Sequence, residues 1–448
     1  MEPSRIPTRE VPMAPTDDPD FETLLPRPLS PRRARLLERA PTHAADFETR
    51  AAAHDRAGSY PLENMEAMKA SGYAHMILPA EWGGEDVSLL ELCACQEQLG
   101  QGCAGTAIAV NMHLFSLGAL LLDARTAPER GRARMEAGLR LIGMRKQIVA
   151  GSFSEHGQAG AYLMPSTRAR RAPGGWEIHG RKAYTSNWPA ADLVGGLVHL
   201  ADHPDGDDRV AMVTVPKGTP GLSSPGAATW DVLALRASGS YDVVWDGVFV
   251  ADMLMPESMA AADYYATMTA FGGWFSLSVA SVYLGVAQAA IDWTLAFLRE
   301  RRSAADGRPL SRMPGLQYQL GEMVALQMAS RSMIGGAAAG WEASPWTAEE
   351  ARLHGSACTY VTSNNHVRVL ELAMDVAGGP GLFRSAGLER RYRDVRGAKA
   401  HPPSDMGALE EIAKARLGIP WGSSPRWGEG WGGAVDWNRV ARCLVEGS

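Results

Sequence analysis

The sequence is poor in cysteine and lacks any C-x-x-C pair. Five cysteines occur among 448 residues, which is an odd number. Both features argue against a disulfide framework and against a structural zinc site, so no metal is expected. We therefore predict reduced thiols and a cytoplasmic location. The cysteines are Cys93, Cys95, Cys103, Cys358 and Cys443.

A surplus of positive charge is also missing. The formal net charge is -6 and the sequence pI is near 6.0. Polyanions such as nucleic acids, and acidic membrane surfaces, are bound through clustered Lys and Arg. The composition therefore disfavours both as general partners, and we predict that no nucleic acid is bound.

Long apolar runs are interrupted by polar residues. The most hydrophobic stretch extends from Thr106 to Leu122 and contains Asn111, His113 and Ser116. Such a stretch is too short and too polar for a membrane-spanning helix. It predicts a buried helix and no membrane span.

The first 34 residues lack the apolar segment of a secretion signal. They mix Pro, Arg and Asp instead. This composition predicts a disordered or extended tail rather than an export signal.

The residues that are present predict a large core and three structural regions. Hydrophobic residues make up 46% of the chain and charged residues 21%. Helical periodicity gives way to β-rich runs such as "RVAMVTVPKGTPG" and then returns. The pattern predicts an α+β fold with an N-terminal α-helical domain, a middle β-barrel-like or β-sandwich domain and a C-terminal four-helix bundle. The predicted segments are the tail 1–34, the helical domain 35–147, the β-domain 148–255, the bundle 256–418 and a Trp- and Gly-rich C-terminal tail 419–448.

Several local motifs occur within this succession of helical, β-rich and helical regions. They are "LPAEWGGEDVSLLEL", "GSFSEHGQAGA", "HGRKAYTSN", "LRASGSYDVVWDGVFV" and "DVAGGPGLFRSAGLERRYRDVR". In this order they resemble the acyl-CoA dehydrogenase superfamily, which includes flavin-dependent monooxygenases of the same fold. The resemblance extends over residues 45–418 and implies an enzyme that binds FAD, with FMN less expected.

The resemblance assigns cofactor-binding residues in the β-domain. Phe153 and Ser154 match a loop beside the flavin ring, where hydroxyl and backbone groups bond to the polar edge of the ring. Tyr184 and Ser186 match an aromatic cover and a hydroxyl contact near the reactive part of the flavin. A planar apolar ring needs both kinds of neighbour. Read singly, Tyr184 is more commonly an ordinary sheet-packing residue and Ser154 an ordinary turn residue.

Three further residues match positions that reach the FAD of a neighbouring subunit. Arg301 matches an arginine that binds the pyrophosphate, with Arg302 as the alternative, because guanidinium pairs well with phosphate oxygens. Gly378 and Gly379 match a turn near the adenosine. Either arginine could instead be a solvated cation at a helix end, and the glycines could end a helix. The resemblance implies a homodimer or homotetramer.

The carboxylate that serves as the base in acyl-CoA dehydrogenases is missing from both family positions. Pro402 occupies one and Phe275 the other. His401 is the nearest titratable residue and can act as a base near neutral pH. It also matches a histidine that lies beside flavin and substrate in the related monooxygenases. We assign His401 as the catalytic residue, although a simple turn histidine is the alternative.

Asn111, His113 and Phe275 are the expected substrate-pocket residues. The first reaction that the resemblance implies is oxidation of an acyl thioester at its α,β carbons, with a non-standard base and an electron-transfer partner. The second is monooxygenation of a small organic substrate with a flavin reductase as partner. The third reading is a flavin-binding scaffold that has lost turnover.

Overall fold

The computed structural model describes residues 24–25, 29–127, 129–157, 164–261, 263–264, 269–344 and 346–419. The tail segments 1–23, 26–28 and 420–448 therefore lie outside the described residues. The first helix begins inside the predicted 1–34 tail, because Ser30 caps it and Pro31 occupies its first turn. Leu24 and Leu25 are buried against the C-terminal helices.

The N-terminal region is helical, as the periodicity predicts. A capping box formed by Ser88 and Glu91 begins its third helix. In α2, Met65 and Met68 are buried, whereas Leu62 is exposed. The helices are α1 (Pro31–Ala57), α2 (Leu62–Ala70), α3 (Leu89–Gly102), α4 (Ala104–Thr126) and α5 (Glu129–Met144).

The middle region forms one mixed sheet of eight strands. β1 and β2 each run parallel to β4, and the other pairs are antiparallel. Trp245 and Val243 are fully buried in its core. The strands are β1 (Val149–Ser152), β2 (Arg168–Ala172), β3 (Gly175–Thr185), β4 (Leu193–Leu200), β5 (Arg209–Pro216), β6 (Leu222–Ser223), β7 (Tyr241–Ala251) and β8 (Met259–Ala260).

Long helices return after the sheet and pack against one another. The sheet extends past residue 255, the predicted end of the β-domain, because β8 begins four residues later and pairs with β5. The predicted α+β class, with helical regions on both sides of a β region, is confirmed. The helices are α6 (Thr269–Glu300), α7 (Pro314–Ala343), α8 (Ala348–Ala377), α9 (Leu388–Asp394) and α10 (Asp405–Leu417).

Helix α6 joins the two helical regions, because it packs on α3 and α4 as well as on α7 and α8. The approach to α3 is so close that a Cβ at Gly285 would lie 2.0 Å from the Glu97 carbonyl oxygen. Within the described residues, α4 and α6 are long and apolar enough to cross a membrane, but their apolar windows are 72% and 83% buried in the fold. Both helices thus line the interior and position side chains around one central cavity.

Candidate active site

A cavity of about 460 Å³ lies where the sheet, α4, α6 and the segment after α9 meet. Its size is that of a ligand pocket. Its lining is mostly apolar, with Ile108, Met112 and Phe115 coming from α4. Six of the residues that the sequence assigned to the site line this cavity together. They are Phe153, Ser154, Tyr184, Ser186, Phe275 and His401.

His401 follows a short 3-10 turn, Val395–Lys399, that holds its ring against α6. Its Nδ1 lies 2.9 Å from the Gly397 carbonyl oxygen and 2.9 Å from the Tyr283 hydroxyl oxygen. Because a carbonyl only accepts hydrogen bonds, Nδ1 carries the proton and Nε2 keeps its lone pair. Burial lowers the pKa of His401 below 6.5, and the hydrogen bond to Gly397 offsets part of this effect. The ring is therefore neutral near pH 7.

Gly397 is required for this arrangement. A Cβ at this position would lie 2.4 Å from the Tyr283 hydroxyl oxygen and 2.7 Å from Cδ1 of Leu235. Sequence reasoning missed Tyr283, which contacts His401 directly. It stands eight positions after Phe275 in α6, so helical periodicity places the two side chains on one face and could have identified it.

Tyr184 leaves the sheet through an irregularity in β3. The pairing of β3 with β7 shifts between Lys182 and Thr185, and Tyr184 has a φ of +55°. Such a φ is unusual for an aromatic residue and turns its side chain outward from the strand. The ring remains 58% exposed and packs edge-on against Trp230, with 6.0 Å between the ring centroids. Trp230 also lines the cavity and carried no signal in the sequence.

Glu155 fixes the loop that carries Phe153 and Ser154. Its buried carboxylate accepts hydrogen bonds from the backbone and hydroxyl groups of Ser166 and Thr167, and from Nζ of Lys182 at 2.7 Å. Burial raises the pKa of Glu155, but Lys182 and the hydrogen bonds outweigh this and hold it below the ordinary value. The ion pair thus ties the loop to β3 just before Tyr184.

A chain of hydroxyl groups lies at the wall beside the sheet. Oγ of Ser186 lies 2.7 Å from Oγ of Ser240, which lies 2.7 Å from Oγ of Ser238. Ser186 and Ser240 line the cavity. Together with Tyr184 and Trp230, these hydroxyls give the wall both aromatic surface and hydrogen-bonding groups, which suits a planar heteroaromatic ligand.

The helical side of the cavity carries polar residues that the sequence did not identify as a group. Arg352, Ser356 and Glu411 all line it. The Ser356 hydroxyl donates a hydrogen bond to the Glu411 carboxylate. Only the packing of α8 against α10 brings these residues together, so no local motif could reveal them. Among the described lining residues, Glu411 supplies the one carboxylate.

Asn111 and His113, the other expected pocket residues, are buried outside the cavity lining. The Asn111 amide accepts from Gln96 at 2.8 Å and donates to Ser278 at 2.9 Å. Nδ1 of His113 accepts a hydrogen bond from the backbone N–H of Val149. Burial lowers the pKa of His113 to about 3, so it stays neutral. Both side chains connect core elements.

Arg301, Gly378 and Gly379 lie apart from the cavity and are exposed. The Arg301 guanidinium carbon lies 5.8 Å from the centroid of the Phe297 ring. By contrast, Nη1 of Arg302 donates to the Gly307 carbonyl oxygen within the same turn. Gly378 has a φ of +58°, which favours glycine at the end of α8.

Comparisons with known proteins agree with this architecture. The family "Acyl-CoA dehydrogenase, N-terminal domain" matches residues 38–129, and "Acyl-CoA dehydrogenase, C-terminal domain" matches residues 277–405. The chain is 28% identical to the mitochondrial short-chain specific acyl-CoA dehydrogenase of Bos taurus, over 77% of this chain and 80% of that protein.

One further relative is named for a different reaction, and one similar structure contains a flavin and a nucleotide sugar. The amino sugar nitrososynthase DnmZ of Streptomyces peucetius is 26% identical over 87% of this chain and 95% of its own length. The structure of KijD3 in complex with FMN and dTDP-3-amino-2,3,6-trideoxy-4-keto-3-methyl-D-glucose is 26% identical, with a TM-score of 0.79, and covers 89% of this chain and 97% of that one.

Proposed function

Because the chain belongs to the acyl-CoA dehydrogenase superfamily, we propose that it is a flavin-dependent monooxygenase whose reaction centre lies beside His401. That it is an enzyme, and a flavin oxidoreductase of this fold, follows from its relatives. The finer assignment rests on one observation. A neutral, half-buried imidazole lies beside Pro402 and Phe275, which occupy the two positions where dehydrogenases of the family carry a carboxylate.

Dehydrogenation of an acyl thioester requires a base that removes a proton from carbon. Burial lowers the pKa of His401, which makes its imidazole a weaker base than an ordinary histidine. Pro402 and Phe275, which flank it in the cavity, offer no proton acceptor. The sequence ranked the dehydrogenase first, and the burial of His401 supports the reverse order.

The same imidazole suits a substrate with a more acidic proton. Nε2, which keeps its lone pair, can accept a hydrogen bond or a proton from an N–H or O–H group. The apolar α4 residues and the polar group of Arg352, Ser356 and Glu411 favour a small organic molecule with an apolar body and a polar end.

The residues at the sheet wall fit a flavin. Tyr184 and Trp230 would cover its ring, while Ser154 and Ser186 would bond to its polar atoms. When bound, the flavin supplies two electrons for reduction of O2, of which one oxygen atom enters the substrate and the other leaves as water. The cofactor is FAD rather than FMN in this proposal, and a flavin reductase supplies the electrons.

The exposed Arg301, Gly378 and Gly379 favour a held cofactor that also contacts a second subunit. In a homodimer or homotetramer, the Arg301 guanidinium would bind the pyrophosphate of the FAD in the neighbouring subunit. The same observation favours the second candidate, an acyl thioester dehydrogenase with an electron-transfer partner. Its chemistry would require His401 to accept the α-proton.

Two measurements separate these reactions. The oxidised protein is mixed anaerobically with acyl-CoA esters of increasing chain length while flavin absorbance is followed. The protein reduced by NADH and a flavin reductase is then mixed with isotopically labelled O2 and a panel of amines and phenols. We expect no bleaching in the first experiment and labelled product in the second.

Rapid bleaching by an acyl-CoA ester would overturn the monooxygenase and establish the dehydrogenase. Inactivity in both experiments, with flavin bound, would point to the degenerate scaffold. Replacement of His401 by Ala should abolish labelled product while leaving reduction by the external donor intact, since the imidazole acts on the substrate side.

A further inference from the structure

A second, small cavity is lined in part by His401. Its volume is about 10 Å³, and its wall is formed by α6, α8 and the segment from Ala398 to Pro402. Phe275 and His401 line both this cavity and the large one. His401 therefore borders both the reaction cavity and the small one.

His366 and Thr359 line the small cavity from one face of α8, seven positions apart. His366 is fully buried, and neither of its ring nitrogens has a hydrogen-bond partner within the part of the chain that the structure describes. The Thr359 hydroxyl is likewise buried and unpartnered there. Thr362 differs, because its hydroxyl donates to the Cys358 carbonyl oxygen at 2.8 Å.

Unpartnered polar groups are costly in a core. Each buried group without a hydrogen bond loses its bonds to water without replacement and so destabilises the fold. Burial lowers the pKa of His366 to about 3, so its ring is neutral and presents one N–H donor and one nitrogen acceptor. Two such residues facing one cavity point to a polar occupant that bonds to both.

Tyr283 supplies the third polar group of the small cavity. Nδ1 of His401 donates its proton toward the Gly397 carbonyl oxygen, so it cannot accept the Tyr283 hydroxyl proton at the same time. Burial raises the pKa of Tyr283 well above 10, and the hydroxyl keeps its proton. This proton needs an acceptor other than His401.

We propose that the small cavity binds one water molecule, which accepts the Tyr283 hydroxyl proton and bonds to His366 and Thr359. A volume of about 10 Å³ is close to the ~10–15 Å³ that one water requires, and it is too small for a substrate. Tyr283 and His366 are thereby positioning residues. They keep the hydroxyl proton away from Nδ1, so Nε2 retains its lone pair.

Loss of this water would change which ring nitrogen of His401 carries the proton. The Tyr283 hydroxyl would then turn its proton toward Nδ1 of His401 and compete with the Gly397 carbonyl for the orientation of that ring. The competing tautomer carries its proton on Nε2 and cannot accept one from a substrate. The water site itself does not depend on the proposed function. Only the use of the Nε2 lone pair to accept a substrate proton rests on the proposed role of His401.

The test follows the tautomer directly in the oxidised protein, without substrate. Nitrogen NMR of protein labelled at histidine, with the His401 signals identified by their loss in His401→Gln, reports which ring nitrogen carries the proton. We expect the Nδ1–H tautomer in the wild type. His366→Phe should shift the population toward Nε2–H, although residue 366 makes no hydrogen bond to His401 among the described contacts.

The double variant Tyr283→Phe/His366→Phe should restore the Nδ1–H tautomer, because it removes the competing hydroxyl. Thr359→Val should shift the population in the same direction as His366→Phe but less, and serves if the latter does not fold. Thr362→Val, which deletes a hydroxyl already satisfied within α8, is the matched control and should change nothing.

An unchanged tautomer in both His366→Phe and Thr359→Val, or a failure of the double variant to restore it, would overturn the proposal. So would an equal shift in Thr362→Val, since that would indicate general loosening of α8. Because the readout requires no turnover, these outcomes stay distinct from failure of the monooxygenase assay.

Discussion

The Tyr283 hydroxyl oxygen lies 2.9 Å from Nδ1 of His401, across 118 positions of sequence. This contact connects α6 to the segment that replaces the family's glutamate with proline. It places the candidate proton carrier in a fixed orientation, because the Gly397 carbonyl bonds to the same nitrogen. The chemistry proposed for the cavity depends on this orientation.

The pH dependence of turnover should report His401. Burial lowers its pKa below 6.5, so the ring remains neutral at pH 6.5 and becomes protonated only at lower pH. We expect the acid limb of kcat/KM for the oxygenated product to lie below pH 6.5. Activity should be full above this limb and fall as the pH decreases through it.

The control is His401→Gln, which keeps a polar side chain but does not titrate. Its residual activity should show no such acid limb. An acid limb at the same pH in this variant would assign the titration to another group.

Gly397→Ala should damage both the fold and the site. The added methyl would meet the Tyr283 hydroxyl oxygen at 2.4 Å, and the resulting overpacking costs about 1–3 kcal/mol. Turnover should fall further than stability explains, because the His401 hydrogen bonds are displaced. Urea unfolding and steady-state kinetics measure the two effects.

Gly138→Ala provides the matched control in α5, where no atom lies within 4 Å of the added Cβ. It should be neutral or stabilise the helix by up to about 1 kcal/mol. Equal losses in the two variants would contradict the role assigned to Gly397.

Glu155→Gln should destabilise the protein by about 3–5 kcal/mol, because it leaves the Lys182 ammonium buried without its counter-charge. The loop that carries Ser154 should loosen as well, since the same carboxylate holds Ser166 and Thr167. Chemical denaturation and hydrogen exchange of residues 153–157 provide the measurements.

The double variant Glu155→Gln/Lys182→Met removes the unpaired charge and should recover part of the lost stability. A double variant no more stable than Glu155→Gln would show that the ion pair is not the source of the effect.

Arg301→Ala should weaken FAD retention. Loss of a charge-assisted hydrogen bond costs about 1.5–3 kcal/mol, which corresponds to roughly 10- to 100-fold in the dissociation constant. Equilibrium dialysis against FAD, with the oligomeric state checked by light scattering, measures this change.

Arg302→Ala is the control, because Arg302 already donates to the Gly307 carbonyl oxygen in its own turn. It should retain FAD normally. The reverse result, with FAD lost only in Arg302→Ala, would transfer the phosphate contact to Arg302.

Local sequence patterns were sufficient for the architecture and for much of the cavity. The alternation of helical and β-rich periodicity depends on neighbouring residues, so the α+β order could be read without a structure. The family motifs also identified Phe153, Ser154, Tyr184 and Ser186, which line the cavity together. The sequence also showed that Pro402 and Phe275 occupy the two positions where the family's dehydrogenases carry the catalytic carboxylate.

The polar partners of the site depended on packing between distant elements. Ser356 and Glu411 meet because α8 packs against α10, and no motif contains both. Asn111 looked like a pocket residue because it interrupts an apolar helix, but Gln96 and Ser278 satisfy it in the core. Hydrophobic periodicity reveals which face of a helix is buried, and it does not reveal what that face meets.

The sequence therefore dictated the type of fold and the identity of the imidazole, since both follow from the order of residues along the chain. The protonation of that imidazole was decided by the tertiary structure alone. Burial, the Gly397 carbonyl and the Tyr283 hydroxyl act on His401 through distances of a few ångströms between segments far apart in sequence. Electrostatic and hydrogen-bonding effects of this kind depend on separation in space, which residue order does not contain.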